Sequence, residues 1–141
     1  MTLRQHQVEL TVATGGEGLY EITRQVGAAV ADARLTTGLC TVFCRHTSAS
    51  VLIQENADPD VQRDLMAFFR RLVPEGDPLF VHCAEGPDDM PGHVKSALTQ
   101  TSLAIPITAG RPALGTWQGV YLFEHRRAPH RRSVIVHSIG V

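Results

Sequence analysis

Hydrophobic residues recur along this chain with two different periods. Val8, Leu10 and Val12 alternate with Gln7, Glu9 and Thr11, a period of two that turns one apolar face to a core and predicts a strand. Beyond the Gly15-Gly16 break the spacing lengthens. Leu19, Ile22, Val26, Ala29, Val30 and Ala33 recur every three or four residues, as one face of an α-helix requires. Residues 37–53 are β-branched and apolar but interrupted by Arg45-His46-Thr47-Ser48, which predicts two short strands or one bent strand. Asp58 as N-cap and Pro59 at the first helical position open a second helix, because Asp satisfies a free backbone N–H and Pro has none to satisfy. Its expected buried face is Val61, Leu65, Phe68, Phe69 and Leu72, and Pro74 and Gly76 end it.

Residues 79–83 read as a short strand. The acidic loop 84–89 then leads into a third helix near Pro91, with Val94, Ala97, Leu98 and Thr101 as its inner face. Residues 103–108, 116–125 and 132–139 are the last three predicted strands, separated by Gly110-Arg111-Pro112 and by the basic loop 126–131, both rich in turn formers or charge. The order β-α-β-β-α-β-α-β-β-β, without repeat or linker, predicts one α+β domain over residues 1–141: a mostly antiparallel sheet or sandwich with about three helices.

Composition narrows the function more than the fold. A chain of 141 residues suits one domain able to bury most of its chain surface. Thirteen Lys+Arg against 14 Asp+Glu leave a net charge of −1, so no global field recruits nucleic acid or an acidic membrane, and an anionic substrate must be caught locally. Cys40, Cys44 and Cys83 are odd in number and form no CxxC pair, which argues against a secreted disulfide framework and for a reducing cytoplasm. No stretch approaches the ~20 apolar residues of a membrane helix, and residues 1–7 lack the apolar run of a signal peptide. A cytoplasmic protein without membrane or nucleic-acid partners is expected.

Three segments concentrate chemistry. In the first, His46-Thr47-Ser48-Ala49-Ser50, His46 continues the face of Cys40, Val42 and Cys44 at a strand end, where a ligand position is expected. The hydroxyls and the helix start after Asp58 could take an oxyanion; a Ser-rich turn beside a capped helix explains the same residues without chemistry. In the second, running from His82 through Glu85, Asp88 and Asp89 to His93, paired aspartates and a histidine in a first helical turn can fix a divalent ion or orient its imidazole ligand. Against this, Asp88 and Asp89 could simply complement the helix dipole, with His82 an ordinary partly buried histidine.

In the third, Gly115-Thr116-Trp117-Gln118-Gly119 through Glu124-His125-Arg126, alternation puts Gly119, Tyr121, Phe123 and His125 on one face and Gln118, Val120, Leu122 and Glu124 on the other. Gly119 marks a bulge or the close approach of a ligand or backbone, and Trp117 is expected in the core. The basic run Arg126, Arg127, His130, Arg131 and Arg132 could help attract phosphate, but a solvated loop is the expected account of most of it. His46, His93 and His125, each at the end of an apolar segment, form the expected metal triad, since a catalytic ion takes three protein ligands and keeps a position open.

On these motifs, and on Glu55-Asn56-Ala57-Asp58-Pro59 between them, the chain resembles the YjbQ family (UPF0047), which carries the name secondary thiamine-phosphate synthase. The likeness spans residues 38–126; the first ~35 residues match only in strand-helix pattern. The chain departs from the family at Cys44 and at Pro87, which interrupts a commonly acidic run. The resemblance implies an α+β β-sandwich, a homotrimer and a histidine-lined site able to hold a divalent metal, with zinc ahead of magnesium. It also implies a thiamine-phosphate synthase side activity, in which a pyrimidine diphosphate loses pyrophosphate as the thiazole phosphate nitrogen takes its place.

On that reading His46, His93 and His125 bind the metal, and Glu124, Asp89 and Ser48 are the catalytic candidates, with Glu124 or Asp89 orienting an imidazole or a water. Ser50, Asn56, Lys95, Gln118, Gly119 and Arg126 are the substrate-binding candidates, Lys95 and Arg126 receiving the departing pyrophosphate. The alternatives are a metal-dependent hydrolase of a small phosphorylated metabolite at the same site, or a trimeric metal- or small-molecule-binding protein without turnover. The latter is consistent with the lack of a nucleophile elbow, P-loop or dinucleotide fingerprint. A Ser-His-Asp triad cannot be assumed from Ser48 and Ser50 so near His46, and Cys83 beside His82 could form a thiol–imidazole pair but is expected to be a buried structural cysteine.

Overall fold

In the computed structural model, which describes residues 1–141, the alternating first segment is strand β1, Arg4–Thr14. It pairs antiparallel along its whole length with the last strand, β8, His130–Gly140, from Arg4 opposite Gly140 to Thr14 opposite His130. With β3, Thr37–Cys44, β5, Ser102–Thr108, and the short β6, Arg111–Pro112, these strands make a five-stranded sheet in the order β1-β8-β3-β5-β6. A second sheet has the order β2-β7-β4, from Gly18–Glu21, Gln118–Glu124 and Ala49–Glu55. Every pairing is antiparallel.

The core lies between the sheets. Cys40, Val42 and Cys44 of β3, Ile105 and Ile107 of β5 and Val134 and Val136 of β8 meet Ala49 and Val51 of β4 and Val120 and Leu122 of β7. Helix α1, Thr23–Ala33, adds Val26, Ala29, Val30 and Ala33 to the same cluster. The α+β class, antiparallel sandwich and three helices agree with the expectation.

Several local expectations are corrected. Leu19 is not helical; it lies in β2 opposite Phe123, and α1 starts only at Thr23. Residues 79–83 form no strand: the segment finds no partner backbone, and Val81 is 92 % exposed. Helix α2, Pro59–Leu72, is capped as expected, Asp58 Oδ1 accepting the Asp60 N–H at 2.9 Å. Its apolar side, however, has no buried residue, and Phe68 and Leu72 are about half exposed.

The helix lies against the outer face of β7, where Phe69 packs edge-on to Phe123 and Gln62 donates to the Tyr121 hydroxyl at 3.1 Å. That covering explains why β7 is buried on both faces from Gly119 to Glu124. Helix α3, Asp89–Leu98, buries Asp89, Pro91, Gly92 and Lys95, whereas Ala97 and Leu98, expected inside, are exposed. Trp117, expected in the core, is 62 % exposed, and Cys83, expected to be buried, is exposed because residues 79–83 pair with no strand. No helix is long and apolar enough to cross a membrane.

Candidate metal centre

The site is assembled where β7 ends, α3 begins and the β3–β4 turn passes. Asp89 opens α3 and His93 follows one helical turn later on the same side, which brings His93 Nε2 to 3.2 Å from Asp89 Oδ2. From the preceding loop, His82 Nε2 reaches the same oxygen at 3.0 Å and Glu85 Oε2 at 3.3 Å. One ligand atom from each of His82, Glu85, Asp89 and His93 lies within 4.8 Å of the other three.

Second interactions orient these groups. His93 Nδ1 is 3.0 Å from the Thr47 carbonyl oxygen, which can only accept, so Nδ1 carries the proton. In the neutral imidazole Nε2 then turns its lone pair toward the Asp89 carboxylate, and two lone pairs 3.2 Å apart need a proton or a cation between them. Asp89 is nearly fully buried, and its other oxygen accepts from Arg126 Nη1 at 2.8 Å. Arg126 Nε donates to Asp88 Oδ2 at 3.1 Å and Nη2 to the Glu85 carbonyl at 2.9 Å. Burial alone would raise the Asp88 carboxyl, but hydrogen bonds from the Arg127 N–H and from Arg126 hold it below its ordinary value. The end of β7 thus clamps the acidic loop to the start of α3. His82 and Glu85 are more than half exposed, so the cluster opens to solvent. Beside it a cavity of about 310 Å³ is lined by His82, Phe80, Cys83 and Met90.

Of the three expected imidazoles only His93 belongs to this cluster. His46 leaves β3 after Cys44 and turns to the stretch of β8 that β3 no longer covers, where its Nε2 accepts the Ser133 N–H at 2.7 Å; that lone pair is spent. Burial, aided by the Arg132 charge, lowers its pKa. His125 is 1 % exposed, with Nε2 3.0 Å from Ser50 Oγ, Nδ1 without a partner and its ring 4.4 Å from that of Phe123. Burial, with the Lys95 and Arg132 charges adding to it, pushes its pKa down to about 3. One chain therefore does not gather His46, His93 and His125; His82, Glu85 and Asp89 stand with His93 instead.

The other candidates divide between the two ends of one strand pair. In the β4–β7 register Ala49 lies opposite Glu124 and Glu55 opposite Gln118, a span of roughly 20 Å at ~3.3 Å per residue. Asn56, Gln118 and Gly119 occupy the end away from the cluster. Asn56 Nδ2 donates to Glu21 Oε2 at 3.1 Å, and Gln118 Oε1 accepts the Gly115 N–H at 2.8 Å. Gly119 lets Glu21 and Asn56 close over the strand, since a Cβ there would lie 2.9 Å from Glu21 Oε2; the close approach is made by the protein itself. At the other end Ser50 is buried, accepting from Thr99 Oγ1 at 2.6 Å, and Ser48 Oγ accepts from Arg132 Nη2 at 3.0 Å.

Glu124 is fully buried and holds Arg132, not an imidazole: Arg132 Nε donates to Oε1 at 2.7 Å and Nη2 to Oε2, with Thr14 Oγ1 also donating to Oε1 at 2.7 Å. Burial would raise this carboxyl, but the hydrogen bonds from Arg132, Thr14 and the Arg126 N–H keep it below its ordinary value. Arg132 itself, the last member of the basic run and the expected first residue of the final strand, is 4 % exposed. Its signal was its phase, for Arg132, Val134 and Val136 alternate on one face of β8. The legible sign of the cluster was the spacing His82, Glu85, Asp89, His93, whose last two members sit a helical turn apart.

Comparison with known proteins gives a consistent result. The family model described as UPF0047 protein YjbQ-like matches residues 8–141. A UPF0047 protein of Synechocystis sp. is 58 % identical over 139 residues, covering 99 % of this chain and 95 % of that protein. The UPF0047 protein YjbQ of Escherichia coli O157:H7 is 40 % identical over 131 residues, 92 % of this chain and 94 % of that one. Among solved structures, a conserved hypothetical protein from Thermus thermophilus superposes with a TM-score of 0.80 at 39 % identity, covering 91 % of this chain and 97 % of that one. A YbjQ-like protein of unknown function from Sulfolobus solfataricus has a TM-score of 0.92, covering 99 % and 100 % of the two chains, and at 20 % identity shows the shared fold.

Proposed function

Since the chain belongs to the YjbQ-like UPF0047 family, we propose that it is a divalent-metal enzyme acting on a small phosphorylated metabolite, with zinc ahead of magnesium as the metal. The observation that carries this reading is the meeting of two imidazoles and two carboxylates within 4.8 Å in a cluster open to solvent. Mixed nitrogen and oxygen donors suit zinc, whereas magnesium favours oxygen alone. When bound, the cation supplies Lewis acidity to a phosphate or diphosphate oxygen.

The chain's own residues prepare that site. Asp89 aligns His82 and His93, the Thr47 carbonyl sets the His93 tautomer, and Arg126 holds Asp89 and the loop that carries Glu85. Phe80 and Met90 give the adjoining cavity an apolar side for a ring-sized part of a substrate.

Within this class, joining a pyrimidine diphosphate to a thiazole phosphate with release of pyrophosphate is the side activity that the family likeness suggests. Hydrolysis of a phosphorylated metabolite is the second reading, and the cationic residues favour it. Arg126, the expected receiver of pyrophosphate, has Nε, Nη1 and Nη2 engaged by the acidic loop, and Lys95, the other expected receiver, lies on the side of α3 away from Asp89 and His93.

The apolar side chains left exposed on α2 and in the loop after it, together with Trp117, support assembly as a homotrimer. The three unpaired cysteines support a reducing cytoplasm.

Metal content of the untreated protein, measured by mass spectrometry, tests the centre. Asp89→Asn and His93→Ala are each expected to lower bound zinc at least about tenfold; unchanged metal and turnover in both variants reject the proposal. A requirement for both the pyrimidine and the thiazole partner selects the transferase, and product from one phosphoester alone selects hydrolysis.

A further inference from the structure

We infer that a second cavity, between α2 and α3, is a binding site for a phosphate or diphosphate group. Its volume is about 370 Å³, and Lys95, Arg70 and Arg127 face it against Glu17 and Glu75. Three cations thus meet two carboxylates in a chain whose net charge is −1, so the local field is opposite in sign to the whole.

Lys95 is the informative member. Its side chain is only 5 % exposed, yet its ion-pair partner, Glu17 Oε1, is 3.7 Å away, beyond hydrogen-bond reach. An ammonium has three donors, and removing it from water is costly unless they are met. Glu17's other oxygen is 3.5 Å from Arg70 Nε, so one carboxylate sits loosely between two cations, where the oxygens of an anion would fit. Glu17 follows Gly15-Gly16, with Gly16 at φ 131°, in the turn between β1 and β2, outside the core between the sheets. Arg127 pairs with Glu75 at 3.2 Å, both well exposed, and that partner is exchangeable. Guanidinium groups flanking a buried ammonium suit a multiply charged oxyanion.

Helix geometry separates this cavity from the metal cluster. Asp89 and His93 lie on one side of α3, while Pro91 and Lys95, two residues out of phase at ~100° per residue, lie on the other. The inference goes beyond the proposed metal enzyme and does not depend on it.

The test uses the full chain stripped of metal with a chelator, titrated calorimetrically with inorganic phosphate and with diphosphate. Saturable diphosphate binding is expected, weakened at least about tenfold by Lys95→Met and by Arg127→Gln, and unchanged by His82→Ala. Thermal melts identify a Lys95→Met chain that fails to fold; Arg127→Gln, at an exposed position, then decides. Absence of saturable binding, wild-type affinity in Arg127→Gln, or loss of binding in His82→Ala instead overturns the proposal, the last by assigning the anion to the metal cluster.

Discussion

Replacing Arg132 by Met tests whether the buried Glu124–Arg132 pair serves the fold in the manner the geometry implies. Glu124 is fully buried and takes two charged hydrogen bonds from one guanidinium, which also donates to the Ser48 carbonyl at 3.2 Å and to Ser48 Oγ at 3.0 Å. Met keeps the bulk of the side chain and leaves the carboxylate without its counter-charge. Breaking a buried pair from one side costs ~3–5 kcal/mol, which for a chain of this length lowers the melting temperature by roughly 10–15 °C.

The pH dependence makes the test sharper. In the wild type the Glu124 carboxyl is held low, so its stabilising contribution is complete above its unfolded value of about 4.3 and is lost as pH falls through the lower folded value. In R132M burial acts with its main opposing partner gone, and the folded carboxyl titrates above its ordinary value. Folding of the variant then takes up a proton, and its deficit shrinks as pH falls toward about 4. Urea unfolding of wild type, R132M, E124Q and the double variant across this range measures the effect. The double variant is expected to cost less than the sum of the single ones by ~2 kcal/mol or more. A cost under ~1 kcal/mol for R132M, or a deficit that stays constant with pH, would refute the reasoning.

Three further outcomes are expected. His125, held neutral with its pKa pushed down to about 3, contributes stability that is present above its unfolded value near 6.5 and is lost as pH falls toward the folded value, at up to ~1.4 kcal/mol per unit; H125F should flatten the fall of the urea midpoint between about pH 6.5 and about pH 4, and an unaltered slope would count against the assignment. G119A should cost about 1–3 kcal/mol, because its Cβ would press on Glu21 Oε2 at 2.9 Å and Asn56 Cβ at 3.0 Å; thermal melting reads the loss, and a neutral result would mean that those side chains give way freely. If the exposed apolar side of α2 is a subunit interface, sedimentation should give three times the 15.4 kDa chain mass and F68D with L72D should reduce it; a wild-type monomer would remove the assembly from the proposal.

The alternation of Val8, Leu10 and Val12, the Asp58-Pro59 helix start and the periodic run from Val26 to Ala33 were enough to place β1, α2 and α1, because period and capping are properties of a dozen neighbouring residues. What lies across a face is not local. Nothing near Phe68 or Leu72 reveals that only part of the apolar side of α2 meets β7, and an apolar run such as residues 79–83 becomes a strand only if some other backbone offers it hydrogen bonds. The same limit applied to the site. Histidines ending apolar segments were visible as candidates, but their partners come from β8, α3 and the loop before it. Chain geometry turned His46 to the Ser133 N–H, sealed His125 behind Ser50 and Phe123, and set His82 and Glu85 beside Asp89 and His93. Periodicity records which way a side chain points. Which groups it meets depends on the packing of segments far apart in sequence, and there each polar atom takes the partner that burial leaves within reach.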